Sequence, residues 1–144
     1  MSKKSLILVI LQFSSFIFFG LDGGLFAKGF LLFIQIIGLA IGLWGIITMK
    51  LGNFNIQPEV KHSAIFTSHG PYKIIRNPMY TGLLIFFGIS VLTNFNSLRL
   101  AVLIILTTSL LLKIFMEEQF LSNRFKNEYL EYKKKTYRLI PFIF

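Results

Sequence analysis

The residues best suited to chemistry in this chain occur in two places, a polar segment at positions 70–80 and two adjacent carboxylates, Glu117 and Glu118. The segment reads GPYKIIRNPMY and lies between long apolar runs. Its tyrosines, cations and asparagine are donors and aromatic faces that bind a ligand, and a carboxylate near a bilayer is costly unless it is solvated or paired. We therefore predict that the two features form one site at the membrane surface.

The composition defines a membrane protein of one domain, residues 1–144. Of its 144 residues, 54% are hydrophobic and 17 are Phe, and the mean hydropathy is +0.69. These values exceed the norm for soluble globular proteins. The net charge of +9 is scattered among apolar segments rather than gathered on a soluble module, so nucleic-acid binding is not expected. Cys is absent and His62 and His69 have few carboxylates nearby, so we predict no metal site.

Four apolar runs without acidic residues predict an all-α, multi-pass membrane protein. They cover residues 5–21, 30–49, 79–92 and 98–116. The second and fourth are long enough to cross the hydrocarbon layer, at about 1.5 Å per residue. The third is short, and the TNFNS break at 93–97 predicts a tight turn between antiparallel helices. No small-residue cleavage pattern follows the first run, so we expect it to be a helix rather than a cleaved signal.

The distribution of cations predicts that both termini are cytoplasmic. With the N-terminus inside, only Lys28 and Arg99 face the other side, and the remaining cations are cytoplasmic: Lys3, Lys4, Lys50, Lys61, Lys73, Arg76, Lys113, Arg124, Lys126, Lys133, Lys134, Lys135 and Arg138. Residues 50–78 and the tail 117–144 then share one face. A bacterial inner membrane is the expected location.

The tail carries an apolar stripe at helical spacing. Leu121, Phe125, Tyr129 and Tyr132 recur every three or four residues, which predicts an amphipathic helix that continues the fourth membrane helix. The lysines at 133–135 are placed to meet anionic lipid headgroups.

Helix capping and helix geometry explain some of these residues without assigning them a function. Pro78 suits the first turn of the third helix and Asn77 the cap before it. Glu117 and Glu118 project about 100° apart on a helix, so one can face the bundle while the other pairs with a cation. These rules do not explain why Gly70, Tyr72 and Tyr80 accompany them.

Taken together, these motifs resemble the isoprenylcysteine carboxyl methyltransferase and phospholipid methyltransferase family of integral-membrane enzymes. The family pattern is G-x-Y, then R-H-P-x-Y, then E-E, then Y-x-x-Y and a proline. The matching residues are Gly70-Pro71-Tyr72, Arg76-Asn77-Pro78-Met79-Tyr80, Glu117-Glu118, Tyr129-Leu130-Glu131-Tyr132 and Pro141. The resemblance covers roughly residues 57–144.

The resemblance implies S-adenosylmethionine as the methyl donor, bound on the cytoplasmic side between the segment before the third helix and the tail. It implies these cofactor-binding residues: Gln57, Tyr72, Asn77, Pro78, Met79, Tyr80 and Glu117. It places Lys113 at the substrate, where eukaryotic members have an Arg. Arg76 is predicted beside it on the catalytic side, and Glu118 as the base for an acceptor that must lose a proton.

At three positions the sequence departs from the family pattern, and these departures affect the implied contacts with the cofactor and the substrate. Asn77 replaces the His of R-H-P and cannot become cationic. Ala64 stands where a second cofactor-side His is found. Lys113 lacks the two-pronged grip of an Arg on a carboxylate.

The function predicted is methyl transfer from S-adenosylmethionine to a lipophilic or membrane-delivered acceptor, through a carboxylate, amine or hydroxyl. An enzyme alternative is an NADPH-dependent reductase, because the ending Tyr137-Arg138-Leu139-Ile140-Pro141 also resembles that of membrane sterol reductases. A non-catalytic scaffold or a small transporter is the other alternative. A proton-coupled transporter would need an intramembrane carboxylate, and no run contains one.

Overall fold

The fold is a bundle of α-helices, as the apolar runs predict. The computed structural model describes residues 3–49 and 66–144. This part of the chain forms α1 (Lys3–Leu21), α2 (Phe30–Met49), α3 (Pro78–Thr93) and α4 (Ser97–Lys135), with a 3₁₀ turn at Gly70–Lys73. Helices α1, α2 and α4 are long and apolar enough to cross a membrane, whereas α3 has 16 residues. The all-α membrane fold is confirmed.

The helix ends follow from local chemistry. Helix α3 begins at Pro78, whose missing N–H would lack a partner in the first turn in any case. Helix α4 begins after Asn96, whose side-chain oxygen accepts a hydrogen bond from the amide of Leu98 at 2.7 Å. The bounds of α1 and α3 differ from the apolar runs by one or two residues. Helix α4 instead continues 19 residues beyond the run that ends at 116.

The helices form two close pairs, α1 with α4 and α2 with α3. The α2–α3 pair is close because glycines meet at the crossing. A Cβ on Gly82 would lie 2.5 Å from the carbonyl oxygen of Gly38 and 2.7 Å from the amide nitrogen of Gly42. Small residues that let two backbones approach are a common way to pack helices in lipid, where apolar burial gives little driving force.

An aromatic and aliphatic core joins the two pairs. It contains Phe19, Tyr80, Phe87, Val91, Leu106, Leu110, Ile114 and Leu139. Phe19 and Phe87 are in ring contact, with centroids 4.8 Å apart. Other large apolar side chains point outward, as expected of surfaces that face lipid.

Arg99 fastens the end of the bundle away from Glu117. It was predicted only as a charge on the non-cytoplasmic side, but its side chain is 3% exposed. Its guanidinium pairs with Asp22 and donates to the carbonyl of Gly23 at 2.8 Å and to the hydroxyl of Ser90 at 2.6 Å. One side chain therefore ties the α1–α2 connection to the end of α3.

The tail helix is broken rather than continuous. Lys126 has φ 43° and ψ −117°, which interrupts α4. The predicted stripe nevertheless faces inward, since Tyr129 is buried and Leu121, Phe125 and Tyr132 are half-buried. The break redirects the last turns of α4 toward the start of α3.

Candidate active site

The loop before α3 and the C-terminal segment are paired directly by their backbones. The amide of Arg76 donates to the carbonyl of Tyr137 at 2.7 Å, and the amide of Tyr137 donates to the carbonyl of Ile74 at 2.9 Å. Thr81 adds a side-chain hydrogen bond to the carbonyl of Leu139 at 2.8 Å. These contacts bring the two motif-bearing segments to one end of the bundle.

Tyr80 and Glu117 meet at this end. The Tyr80 hydroxyl donates to Oε1 of Glu117 at 2.6 Å. Tyr80 is 6% exposed, whereas Glu117 is half-buried and lies just after the apolar part of α4. A short hydrogen bond to a carboxylate is among the stronger kinds in proteins. The bond fixes where this carboxylate points.

Glu118 points the other way and is enclosed by cations. Arg138 grips it with two hydrogen bonds, Nε to Oε1 at 3.1 Å and Nη2 to Oε2 at 2.9 Å. Arg76 Nε donates to Oε1 at 2.9 Å, and Lys133 Nζ lies 3.5 Å from Oε2. The hydrogen bonds to Glu118 raise the pKa of Arg138 above its usual value. Both oxygens of Glu118 are thus already engaged, and its role as a base stays a prediction.

Arg76 and Asn77 also donate hydrogen bonds to the C-terminal tail. Arg76 Nη1 donates to the carbonyl of Lys133 at 3.2 Å and to both oxygens of Thr136. Asn77 occupies the cap position of α3, but its side chain makes no cap hydrogen bond. The predicted cap position is therefore confirmed, but the Asn77 amide donates to the carbonyl of Arg138 at 3.0 Å instead of capping the helix. A neutral amide can make this contact, and a His would be needed only for a positive charge there.

Tyr72 and Pro78 form the wall between this site and α2. Tyr72 is 3% exposed, and its hydroxyl donates to the carbonyl of Gly45 at 3.3 Å. Burial raises the pKa of Tyr72 well above its ordinary value, so the phenol stays protonated. The Tyr132 hydroxyl donates to the carbonyl of Tyr72 at 2.7 Å. Pro78 is fully buried, and a Cβ on Gly45 would touch its ring at 3.0 Å.

A largely apolar cavity of about 370 Å³ opens next to Tyr80, between the two helix pairs. The described residues that line it are Gln12, Phe13, Phe16, Gly38, Leu39, Gly42, Leu43, Ile46, Met79, Tyr80, Gly82, Leu83, Phe86, Phe87 and Lys113. Phe13, Leu39 and Leu43 are exposed on the outer surfaces of α1 and α2. The cavity therefore connects the site to the side of the bundle that faces lipid.

The predicted site residues fall into three groups. Tyr72, Asn77, Pro78, Tyr80 and Glu117 lie around the junction of α3 with the tail, and Met79 and Lys113 line the cavity. Arg76 and Glu118 belong to the ion cluster beside them. Gln57 lies outside the described residues, as do Lys50, Lys61, His62 and Ala64.

Sequence reasoning missed three contributors, Gln12, Arg138 and Thr136. Arg138 and Thr136 lie in the tail, where the sequence pattern indicated only the apolar stripe, the lysines and the terminal motif. Gln12 had a visible signal, since an amide in an otherwise apolar run needs a buried partner. Nothing local identified that partner.

The chain matches the family model described as "Phospholipid methyltransferase" over residues 24–128. The fold and the paired motifs thus define a membrane methyltransferase. The chain belongs to the phospholipid methyltransferase family, as its motifs predict. Membership supports methyl transfer to a lipid-related substrate in a membrane and gives no support to the reductase reading. A comparison with curated proteins found no match.

Proposed function

We propose that this protein transfers a methyl group from S-adenosylmethionine to a lipophilic acceptor at the cytoplasmic face of its membrane, with a site like that of the isoprenylcysteine carboxyl methyltransferases. The observation that carries the proposal is the Tyr80–Glu117 hydrogen bond. It lies where the loop before α3 (the α3 loop), the C-terminal tail and the apolar cavity meet. A polar site for the cofactor and an apolar site for the acceptor would then share one boundary.

The residues around Glu117 fit the donor set of the proposed cofactor. S-adenosylmethionine carries ribose hydroxyls, an ammonium group and a sulfonium, all of which a carboxylate can accept or compensate. Glu117 would supply that carboxylate, with Tyr72, Asn77, Pro78, Met79 and Tyr80 around it and Gln57 added from the segment before. When bound, the cofactor supplies an activated methyl group on a cationic sulfur.

The protein itself would align the acceptor with the methyl group and exclude water. The cavity lining would hold the acceptor's apolar part so that its reactive atom faces the site at Tyr80. The connection to the lipid-facing side would admit the acceptor from the bilayer. Lys113, at the polar end of the cavity, would contact the acceptor beside the reacting atom, and Arg76 would hold the tail closed.

Ligand binding to the detergent-purified protein tests the proposal first. A thermal-shift comparison should show stabilisation by S-adenosylmethionine and none by NADPH, because only a ligand that binds the native state raises its Tm. Stabilisation by NADPH alone would support the reductase alternative, and stabilisation by neither would support a scaffold.

Matched variants then locate the site. Glu117→Gln keeps the shape of the side chain and removes its charge, so we expect S-adenosylmethionine affinity by calorimetry to fall at least tenfold, as for loss of a charge-assisted hydrogen bond of roughly 1.5–3 kcal/mol. Tyr72→Ala should abolish binding. Glu128→Gln removes a charge from an exposed position on the same helix and should change nothing. Wild-type affinity in Glu117→Gln and Tyr72→Ala would refute the site.

A further inference from the structure

Residues 140–144, which we call the 140–144 turn, form a tight turn that is closed by its own backbone. The amides of Leu139 and Ile140 both donate to the backbone oxygen of Phe144 at 2.7 Å. The carbonyl of Ile140 accepts in return from the amides of Phe144 at 3.0 Å and Ile143 at 3.2 Å. Because these amides are bonded internally, they would not be left without partners if the turn entered lipid, where an unbonded amide is costly.

The side chains of the turn point outward instead of into the bundle. Phe142 is 84% exposed, Ile143 79% and Ile140 50%. The Phe142 ring contacts the ring of Tyr137, with centroids 5.1 Å apart, and the amide of Tyr137 is bonded to the carbonyl of Ile74. Since Ile74 is also exposed, the apolar surface extends from the turn to the α3 loop. Contiguous apolar patches of this kind mark surfaces that bind a protein or a membrane.

Arg138 connects the turn to the outer surface of α4. Its guanidinium carbon lies 4.9 Å from the centroid of the Phe115 ring and 4.9 Å from that of Phe144. Phe115 is exposed and belongs to the last turn of the apolar run that ends at 116. The 140–144 turn therefore lies beside the point at which α4 leaves the membrane, and its apolar surface is continuous with one that faces lipid.

The charges near the turn favour a membrane surface over a second copy of the chain. Residues 132–144 include no Asp or Glu and four cations, Lys133, Lys134, Lys135 and Arg138. Lys73, next to Ile74, is exposed as well. Apolar residues flanked by cations are typical of segments that bind an anionic leaflet. Two copies that met through this surface would instead bring like charges together.

We propose that the 140–144 turn is a membrane wedge, which inserts Ile140, Phe142 and Ile143 between the headgroups and acyl chains of the leaflet next to the site. The wedge anchors the tail from its lipid side, because the carbonyl of Leu139 at its base is bonded to the side chain of Thr81. The turn lies outside the residues that match the family model, and its insertion does not depend on methyl transfer.

Tryptophan fluorescence in proteoliposomes of phosphatidylcholine and phosphatidylglycerol tests the wedge. The chain has one Trp, so Trp44→Phe gives a background without signal. Phe142→Trp then places a reporter on the turn, and Asn123→Trp places a control reporter at an exposed polar position of α4. We expect lipid brominated near the headgroup to quench the Phe142→Trp reporter by about half, because interfacial segments lie roughly 5–10 Å into this boundary. Aqueous iodide should quench the control reporter instead.

A charge on the turn should withdraw it from the membrane. With Ile143→Trp as the reporter, the added change Phe142→Asp should transfer most of the quenching from brominated lipid to iodide, because a carboxylate resists entry into lipid. Phe142→Leu keeps an apolar side chain at the same position and should leave the quenching of the Ile143→Trp reporter unchanged.

Quenching of the Phe142→Trp reporter by iodide and not by brominated lipid would place the turn in water and overturn the proposal. Shielding of this reporter from both quenchers would show that protein covers the turn, which would overturn it as well. Equal quenching by brominated lipid in Phe142→Asp and Phe142→Leu would show that the tryptophan draws the turn into the bilayer, and that result would also contradict the wedge.

Discussion

Glu117 and Glu118 are the same residue type at adjacent positions, yet they have different neighbours. Among the described residues, Tyr80 donates a hydrogen bond to Glu117, and the Tyr80 side chain also lines the apolar cavity. Glu118 is held by Arg76, Arg138 and Lys133. A carboxylate in the second setting is already satisfied, whereas the first can still bind a ligand. We therefore propose that Glu117 binds the ligand and that Glu118 stabilises the fold.

Replacing Glu118 tests this division. Glu118→Gln leaves three cations facing one another, and removing one partner of a buried ion pair typically destabilises by about 3–5 kcal/mol. We expect a clearly lower Tm in detergent, with S-adenosylmethionine affinity within about threefold of the wild type at temperatures where the variant is folded. Glu131→Gln disrupts an exposed pair with Lys134 and serves as the control without effect. An unchanged Tm with a methyl-transfer rate reduced a hundredfold would instead support Glu118 as the base.

At the residue scale, sequence rules predicted the directions in which side chains project from a helix but not the residues that they contact. The 100° separation of neighbours on a helix predicted that the two glutamates would diverge. It did not identify Arg138, which follows a break in the helix at Lys126. Gln12 and Lys113 are 101 positions apart, and no periodicity reports a contact over that distance. Asn77 was assigned a cap because its competing acceptor, the Arg138 carbonyl, becomes its neighbour only after the tail folds back.

At the scale of elements, the α2–α3 crossing sets the position of Tyr80. Both Tyr80 and Gly82 lie in the first turns of α3, and Gly82 is in contact with the backbone of α2. A larger residue at 82 would force the two helices apart. The Tyr80 hydroxyl would then move away from Glu117.

Gly82→Ala should therefore be damaging. Its Cβ would lie 2.5 Å from the Gly38 oxygen, and overpacking of this kind destabilises by about 1–3 kcal/mol. Gly88→Ala lies on the same helix with no atom within 4 Å of the new Cβ, so it should leave Tm unchanged or raise it. Equal Tm values for the two variants would show that the crossing is looser than described.

The break in α4 at Lys126 makes a second prediction for an element. Its positive φ with ψ −117° is a conformation that L-residues adopt at a cost of order 1–3 kcal/mol. We expect Lys126→Gly to raise the free energy of unfolding, although glycine normally weakens a helix. Asn127→Gly, one residue later, should lower it by about 1 kcal/mol. If both glycines destabilise alike, the helix is continuous there.

The sequence was most informative at the scale of individual helices. The bounds of α2 coincide with its apolar run, because a bilayer-length apolar helix leaves little freedom in where it begins and ends. The pairing of α2 with α3 was not predicted, because it depends on Gly38, Gly42 and Gly82 meeting at one crossing. The break at Lys126 has no glycine or proline to mark it.

At the scale of the whole molecule, the site lies at one end of the bundle and the Arg99 cluster at the other. The backbone pairing of Ile74–Arg76 with Tyr137 closes the first end. The distribution of Lys and Arg predicts that this end is cytoplasmic. Orientation matters to the proposed function, because S-adenosylmethionine would have to be reached from the cytoplasm.

Single cysteines test the orientation cleanly, because the chain has none of its own. Lys28→Cys lies in the α1–α2 connection and Glu128→Cys on the tail helix, and both positions are exposed. On intact bacterial cells, a membrane-impermeant maleimide should label only Lys28→Cys, and after lysis it should label both. Labelling of Glu128→Cys alone on intact cells would reverse the predicted topology.

Photo-crosslinking of radiolabelled S-adenosylmethionine to the purified protein, with the label mapped by peptide mass spectrometry, tests the central claim most directly. We predict label in peptides from the α3 loop, near Tyr72–Tyr80, and from α4 around Glu117, with excess unlabelled S-adenosylmethionine preventing both. Specific label confined to the opposite end, around Asp22–Gly29, or no specific label at all, would contradict a cofactor site between the α3 loop and the tail.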